Sequence, residues 1–316
     1  TAKGTQTQVS ITDNFTIKPQ IVSSLPTQGT VGTIITIAAN GYGSETVKIT
    51  YGATENDVNA GSMTVNASQY GSFTTYFTVN TQPYGTKSVF VRGQATTQLK
   101  TASFKITPQA TITPTQGIVG TSVAINGNGF VGPESLSVIF GMTTLGTVIA
   151  NSNGVINPNT FNIDAQPYGN TPGTVTGETS QHPVNFPGIG FTILANLYSV
   201  QPAQGTVGTI ISVSGNGFER SSTVNIKFGG TTNIVQPYAN GYGIFTTSFT
   251  INTQPYGTTT ITGIQSGYDM AAKTITILPA IVNVNPSSGP VGLTVTVSGN
   301  GYPANNNLKI GFGQHT

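Results

Sequence analysis

One stretch of seventeen residues occurs four times, and it limits the possible folds more than any other feature of the chain. It reads PTQGTVGTIITIAANGY from Pro26 to Tyr42, PTQGIVGTSVAINGNGF from Pro114 to Phe130, PAQGTVGTIISVSGNGF from Pro202 to Phe218 and PSSGPVGLTVTVSGNGY from Pro286 to Tyr302. The prolines step by 88, 88 and 84 residues, and the closing Asn-Gly-aromatic triplets at Asn40, Asn128, Asn216 and Asn300 step identically. A fixed period of this size means that each unit is one structural module, set beside its neighbours in the chain. A module near 88 residues has room for a two-layer β core and little more.

Helical periodicity is absent, and β-branched residues dominate. Short alternating runs take its place: Thr33–Ile37, Val47–Tyr51, Phe73–Val79, Ser88–Val91 and Phe104–Ile106, each bounded by Gly, Pro or Asn. That pattern predicts antiparallel strands with one buried and one wetted face. About seven of them per module fit an immunoglobulin-like sandwich. Within the repeated stretch, Pro26 lacks an N–H and is expected where the first strand ends. Gly29 and Gly32 let the chain turn before the next strand, which presents Ile35 and Ile37, or the opposite pair, to the core. Asn40-Gly41 reads as a turn in which both residues accept positive φ, and the following aromatic closes the end of the core. A phosphate-loop reading of the glycines fails, because no lysine accompanies them and no helix follows.

A second signature, QPYG, recurs at Gln82–Gly85, Gln166–Gly169 and Gln254–Gly257. Pro then Gly two residues later suits a β-turn between strands. Its tyrosines, Tyr84, Tyr168 and Tyr256, read as core plugs, with ligand-stacking aromatics as the alternative.

The leading P-x-x-G-x-x-G-T, the strand ending in G-x-G-F/Y and a following V-x-F-G-G-T element resemble the IPT/TIG family of immunoglobulin-like domains. The last element appears here as VKITYGAT from Val47, LSVIFGMT from Leu136, VNIKFGGT from Val224 and LKIGFGQH from Leu308. The resemblance implies tandem immunoglobulin-like β-sandwiches, of the kind found in large bacterial and archaeal surface proteins, and no shared catalytic residues. Family members serve as stalks, adhesion modules, DNA-binding partners or enzyme appendages, so architecture is implied more strongly than function.

The expected organisation is an all-β, elongated rod. Residues 1–20 form the final strand region of an incomplete module, 21–108 a full module, 109–196 a module with a Pro-rich insertion, 197–279 a third, and 280–316 the first strands of a further one. Residues 4–20 align without gaps on residues 93–109, with Phe15 on Phe104 and Ile17 on Ile106. The chain therefore reads either as a window of a longer array or as a subunit whose N-terminal strand completes a module of the next copy by strand addition. The central strands absent from both ends favour the longer array. The insertion, Thr171 to Gly190, includes His182 and Phe186 and is a candidate contact loop, since loops on rigid scaffolds carry recognition; neutral drift is the bland alternative.

Only 6% of residues are charged, with net charge +2, against roughly 25% charged in an ordinary domain. This excludes the basic footprint of a nucleic-acid binder and permits dense self-association. There is no cysteine, hence no disulfide or thiolate site, and no run long enough to span a membrane as a helix. Asn14 and Asn66 head glycosylation sequons, although chance sequons are expected in so Asn- and Thr-rich a chain. The two histidines, His182 and His315, lie in different modules, so no nucleophile–base arrangement is in reach. Glu55 and Asp57 are the only closely spaced acidic pair, too few oxygens for calcium. No catalytic residue, cofactor or metal site is expected. The chain reads as an extracellular structural protein, a subunit or segment of a surface filament, stalk or S-layer. The alternative is an adhesin or carbohydrate-binding array that meets surface glycans.

Overall fold

The computed structural model describes residues 2–3, 10–57, 61–141, 143–178, 183–185 and 190–313. Among them every helix is absent and all regular structure is β. A short hairpin, β1 (Ala2–Lys3) with β2 (Ser10–Ile11), precedes the first module. That module contains β3 (Gln20–Leu25), β4 (Gln28–Gly29), β5 (Ile34–Asn40), β6 (Thr46–Gly52), β7 (Gly61–Asn66), β8 (Phe73–Thr78), β9 (Gly85–Gly93) and β10 (Leu99–Ile106). Three of these form one sheet in the order β3-β5-β8, and five form the other in the order β4-β10-β9-β6-β7. Two such sheets face to face are an immunoglobulin-like sandwich.

Alternation explains the register. Ile35 and Ile37 are fully buried and Ala39 nearly so, whereas Ile34 on the opposite face is 56% exposed. A slip of one residue would turn that whole set outward. The first strand changes sheet part-way. β3 pairs antiparallel with β5, but after Pro26 the chain crosses, and β4 pairs in parallel with the end of β10, Gln28 beside Lys105 and Gly29 beside Ile106. Lys105 and Thr107 donate their N–H groups to the carbonyls of Thr27 and Gly29 at 2.9 and 2.8 Å. Gly29 is therefore a strand residue. Gly32 makes the turn alone, at φ +90°.

The second module runs from β11 (Gln109–Thr113) through β12 (Gln116–Gly117), β13 (Ser122–Asn128), β14 (Glu134–Phe140), β15 (Thr143–Ala150), β16 (Ile156–Asn162), β17 (Gly169–Thr171), β18 (Gly173–Gly177) and β19 (Pro183–Asn185) to β20 (Phe191–Ile193). The third runs from β21 (Asn196–Gln201) through β22 (Gln204–Gly205), β23 (Ile210–Asn216), β24 (Ser222–Thr223), β25 (Asn225–Phe228), β26 (Thr231–Val235), β27 (Tyr238–Ala239), β28 (Phe245–Thr250) and β29 (Gly257–Gln265) to β30 (Tyr268–Ile277). The crossover recurs in both, as β12 parallel to β20 and β22 parallel to β30. Each module has its own core. Phe104 meets Tyr51 edge-on in the first, Phe191 meets Phe140 in the second, and Phe228 packs against Phe249 in the third.

The second module corrects one expectation. Part of the stretch from Thr171 to Gly190 is strand, not inserted loop. Pro172 has no N–H for the ladder and splits the strand. β17 pairs with β20, while β18 pairs with β14 and places Val175 in the core.

Beyond the third module, β31 (Ala280–Asn285) pairs with β32 (Thr296–Asn300). Phe312 there is 86% exposed, whereas Phe140 and Phe228 at the matching motif position are fully buried. Phe15 and Ile17 are likewise exposed, unlike Phe104 and Ile106.

Candidate functional site: the junctions between modules

The two repeated signatures meet. Across the first junction the backbone N–H of Tyr84 donates to the carbonyl of Phe130 at 2.9 Å; across the second, Tyr168 donates to Phe218 at 2.9 Å; across the third, Tyr256 donates to Tyr302 at 3.2 Å. The QPYG turn of one module thus holds the Asn-Gly-aromatic corner of the next. Its glutamine faces the other way. Gln82 and Gln166 are buried within their own modules, and their amides donate to Asn80 Oδ1 at 2.7 Å and to Thr143 Oγ1 at 3.2 Å.

This arrangement overturns the core-plug reading of the tyrosines. Tyr84 is half-buried, and Tyr168 and Tyr256 are exposed. Lys105 Nζ lies 5.5 Å from the centroid of the Tyr84 ring, a cation–π contact. The turn glycines serve close approach. A Cβ on Gly154 would come 2.9 Å from Pro83 Cα, and one on Gly243 would come 3.0 Å from Pro167 Cα. Within the Asn-Gly pair only the glycine takes positive φ (+79°, +72°, +67° and +67° at Gly41, Gly129, Gly217 and Gly301), and the asparagine ends a strand. Gly129 packs on the carbonyl of Thr107, where a Cβ would sit 2.8 Å away.

Linkers at these junctions are two residues long: Thr107–Pro108, Leu194–Ala195 and Leu278–Pro279. The three Cα steps across such a linker reach about 11 Å at most, too little for neighbouring modules to separate. At the first junction a cleft of about 320 Å³ opens between Thr81, Gln109, Thr111, Asn126, Asn128 and Pro158. The described side chains that line it are uncharged and can accept or donate hydrogen bonds. Asn128 Oδ1, Asn216 Oδ1 and Asn300 Oδ1, one per junction, are buried without a hydrogen-bond partner.

The other residues singled out from sequence lie apart. Asn14 and Asn66 are exposed, and Asn66 Oδ1 accepts from Thr46 Oγ1 at 2.9 Å. Thr171 and Gly190 are buried. His182 and Phe186, like His315, lie outside the described residues. Glu55 is held bidentately by Arg92, at 2.5 Å to Nε and 2.6 Å to Nη2, while Asp57 Oδ2 accepts from the Ala53 N–H. The arginine hydrogen bond keeps the Glu55 carboxyl below the usual range. For Glu45, burial opposes ionisation, but hydrogen bonds from Thr96, Ala95 and Gly43 outweigh it and lower the value. Among the described residues no three His, Cys, Asp or Glu side chains gather as metal ligands would, and no helix is long and apolar enough to cross a membrane.

Residues 195–255, within the third module, match the IPT/TIG domain family. No curated protein sequence matches the chain. Among solved structures, the mixed-linkage glucan utilization locus protein SGBP-B of Bacteroides ovatus, in complex with a mixed-linkage heptasaccharide, is 14% identical. That match covers 89% of this chain and 76% of the other, with a TM-score of 0.26. The ICAM-5 D1–D4 ectodomain fragment is 13% identical over 83% of this chain and 76% of its own, with a TM-score of 0.27. The BSP domain of a biofilm-associated protein is 12% identical over 78% and 63%, with a TM-score of 0.21.

Proposed function

We propose that this chain is a non-enzymatic structural protein of the cell exterior, its immunoglobulin-like modules coupled end to end as a rod within a surface filament, stalk or S-layer. The observation that carries this reading is the junction itself. The same backbone hydrogen bond, the same glycine contact with the preceding module and the same two-residue linker recur from module to module. When every repeat touches its neighbours in one way, stiffness is a nearest-neighbour property and propagates along the array. The sparse charge of the surface, 6% of residues, supports side-by-side packing of such rods, because little self-repulsion opposes it. Electron microscopy of the native material tests the proposal. Ordered filaments or lattices with a repeat matching the module are expected; dispersed, flexible single particles would overturn it.

A second reading, an array that also binds surface glycans, is favoured by the clustering of exposed tyrosines at one junction.

A further inference from the structure

The corner of the third module, Phe218 to Ser221, is gripped from four sides. Tyr168 of the second module donates its N–H to the Phe218 carbonyl. Gly243 accepts from the Phe218 N–H at 3.1 Å, which sets Tyr242 beside the corner. The Ser266 hydroxyl donates to the Glu219 carboxylate at 2.9 Å, which brings Tyr268 alongside. Tyr238 donates its own hydroxyl to the Ser221 carbonyl at 2.7 Å. All four tyrosines remain exposed, from 44% at Tyr168 to 73% at Tyr268. Such exposure is unusual for side chains so close to one short loop, because each ring forgoes burial of its apolar faces.

The cluster belongs to this junction and is not a by-product of the repeat. Gly71, Gly154 and Gly243 hold the same place, each accepting from the N–H of its module's corner aromatic. Counting back one residue from each gives Tyr70, Asn153 and Tyr242; counting back five gives Asn66, Ile149 and Tyr238. Only the third module has tyrosine at both positions.

We infer that this tyrosine-ringed corner is a binding site for a neutral polysaccharide. The inference deepens the glycan-binding reading above. Sugar rings present an apolar C–H face, which stacks on a tyrosine face, and a hydroxyl edge, which needs small polar partners. Asn240, Ser221 and Ser266 are exposed in the same loops as the tyrosines, and these loops expose no aliphatic side chain. Glu219 and Arg220 oppose one another in charge, so the corner offers no attraction to a polyanion. A protein partner would be anchored instead by a desolvated apolar centre, which these loops lack.

Affinity electrophoresis of the whole chain tests this in native gels containing a soluble β-glucan, an α-mannan or, as polyanion, alginate. Retardation by at least one neutral polymer is expected, weakened roughly tenfold by either Tyr242→Ala or Tyr268→Ala and unchanged by Tyr70→Ala. All three are exposed, and circular dichroism should show the variants folded like the parent. No retardation by either neutral polymer, equal retardation of the variants, or retardation by alginate alone would overturn it. So would tyrosine-dependent self-association in the ultracentrifuge without sugar binding. The array proposal is judged separately, by imaging native material, so either can fail without the other.

Discussion

The backbone N–H of Tyr168 reaches the carbonyl oxygen of Phe218 at 2.9 Å, joining a turn whose ring faces solvent to the aromatic that seals the next core. Phe218 is fully buried and packs edge-on against Phe245 with centroids 5.1 Å apart. One residue therefore serves the core of its own module and the coupling to its neighbour.

Phe218→Ala should destabilise the third module by about 3–5 kcal/mol, as for other buried aromatics cut to alanine. Because the three cores are separate clusters, denaturant unfolding should show one transition moving and the others staying. A uniform shift of the whole curve would mean that the modules unfold as one unit.

Lengthening a linker should uncouple modules without melting them. Four Gly-Ser residues inserted between Thr107 and Pro108 free the first junction, whose Tyr84–Phe130 hydrogen bond contributes about 1 kcal/mol. Small-angle scattering should report a broader distribution of dimensions, with thermal stability preserved. Scattering identical to the parent would show that the linker does not set the coupling.

Tyr51→Phe should stabilise the first module by about 1 kcal/mol. The Tyr51 hydroxyl is buried with no hydrogen-bond partner, a cost that phenylalanine avoids. Phe140 and Phe228 already occupy the matching position in the next two modules. Burial pushes the Tyr51 phenol well above its ordinary value of 10.0, and burial followed by the nearby Glu45 charge pushes Tyr42 up to about 12. A raised folded value gives stability that is intact below the unfolded value and lost as pH rises through the folded one. Alkaline destabilisation of the first module should therefore begin above about pH 10, and Tyr51→Phe should reduce it. Equal alkaline sensitivity of parent and variant would refute the assignment.

The acid limb has the opposite sign. Glu45 and Glu55 are held below their ordinary value of 4.5, so their contribution is present above that pH and fades as pH falls below it. Melting temperature followed from pH 6 downward, with Glu55→Gln as the control, should show a shallower acid decline in the variant. Both groups are partly exposed, so the effect should also shrink in salt.

Much of this architecture was legible in residue order. Alternation over Thr33–Ile37 gives the strand and two candidate faces; the structure buries Ile35 and Ile37 and leaves Ile34 exposed. Other features resisted for physical reasons. The strand Gly61–Asn66 alternates Met63 and Val65 with Ser62 and Thr64, but its glycine and asparagine ends look like loop. The parallel pairing of Gln28–Gly29 with Lys105–Ile106 joins residues far apart in sequence, and no local preference encodes it. The QPYG tyrosines read as core plugs, because a repeated aromatic in a turn usually packs inward, yet they lie at the junctions, half-buried or exposed. QPYG and the Asn-Gly-aromatic corner each recur once per module, but their steps differ, 84 and 88 residues against 88, 88 and 84, so spacing alone does not reveal that they meet. Their contact runs between modules and is set by tertiary packing, which no local pattern records.

The parallel pairing near the start and finish of each module bears on how the molecule responds to pulling. Tension along the chain draws β4 and the end of β10 in opposite directions along their shared axis. The hydrogen bonds from Lys105 and Thr107 to Thr27 and Gly29, and their counterparts from Thr192 and Leu194 to Thr115 and Gly117, are then loaded together in shear. They cannot be peeled apart one at a time, as they would be across an antiparallel hairpin. Every complete module therefore carries a small mechanical clamp in line with its neighbours, placed where a tethered surface fibre would feel the drag of flow.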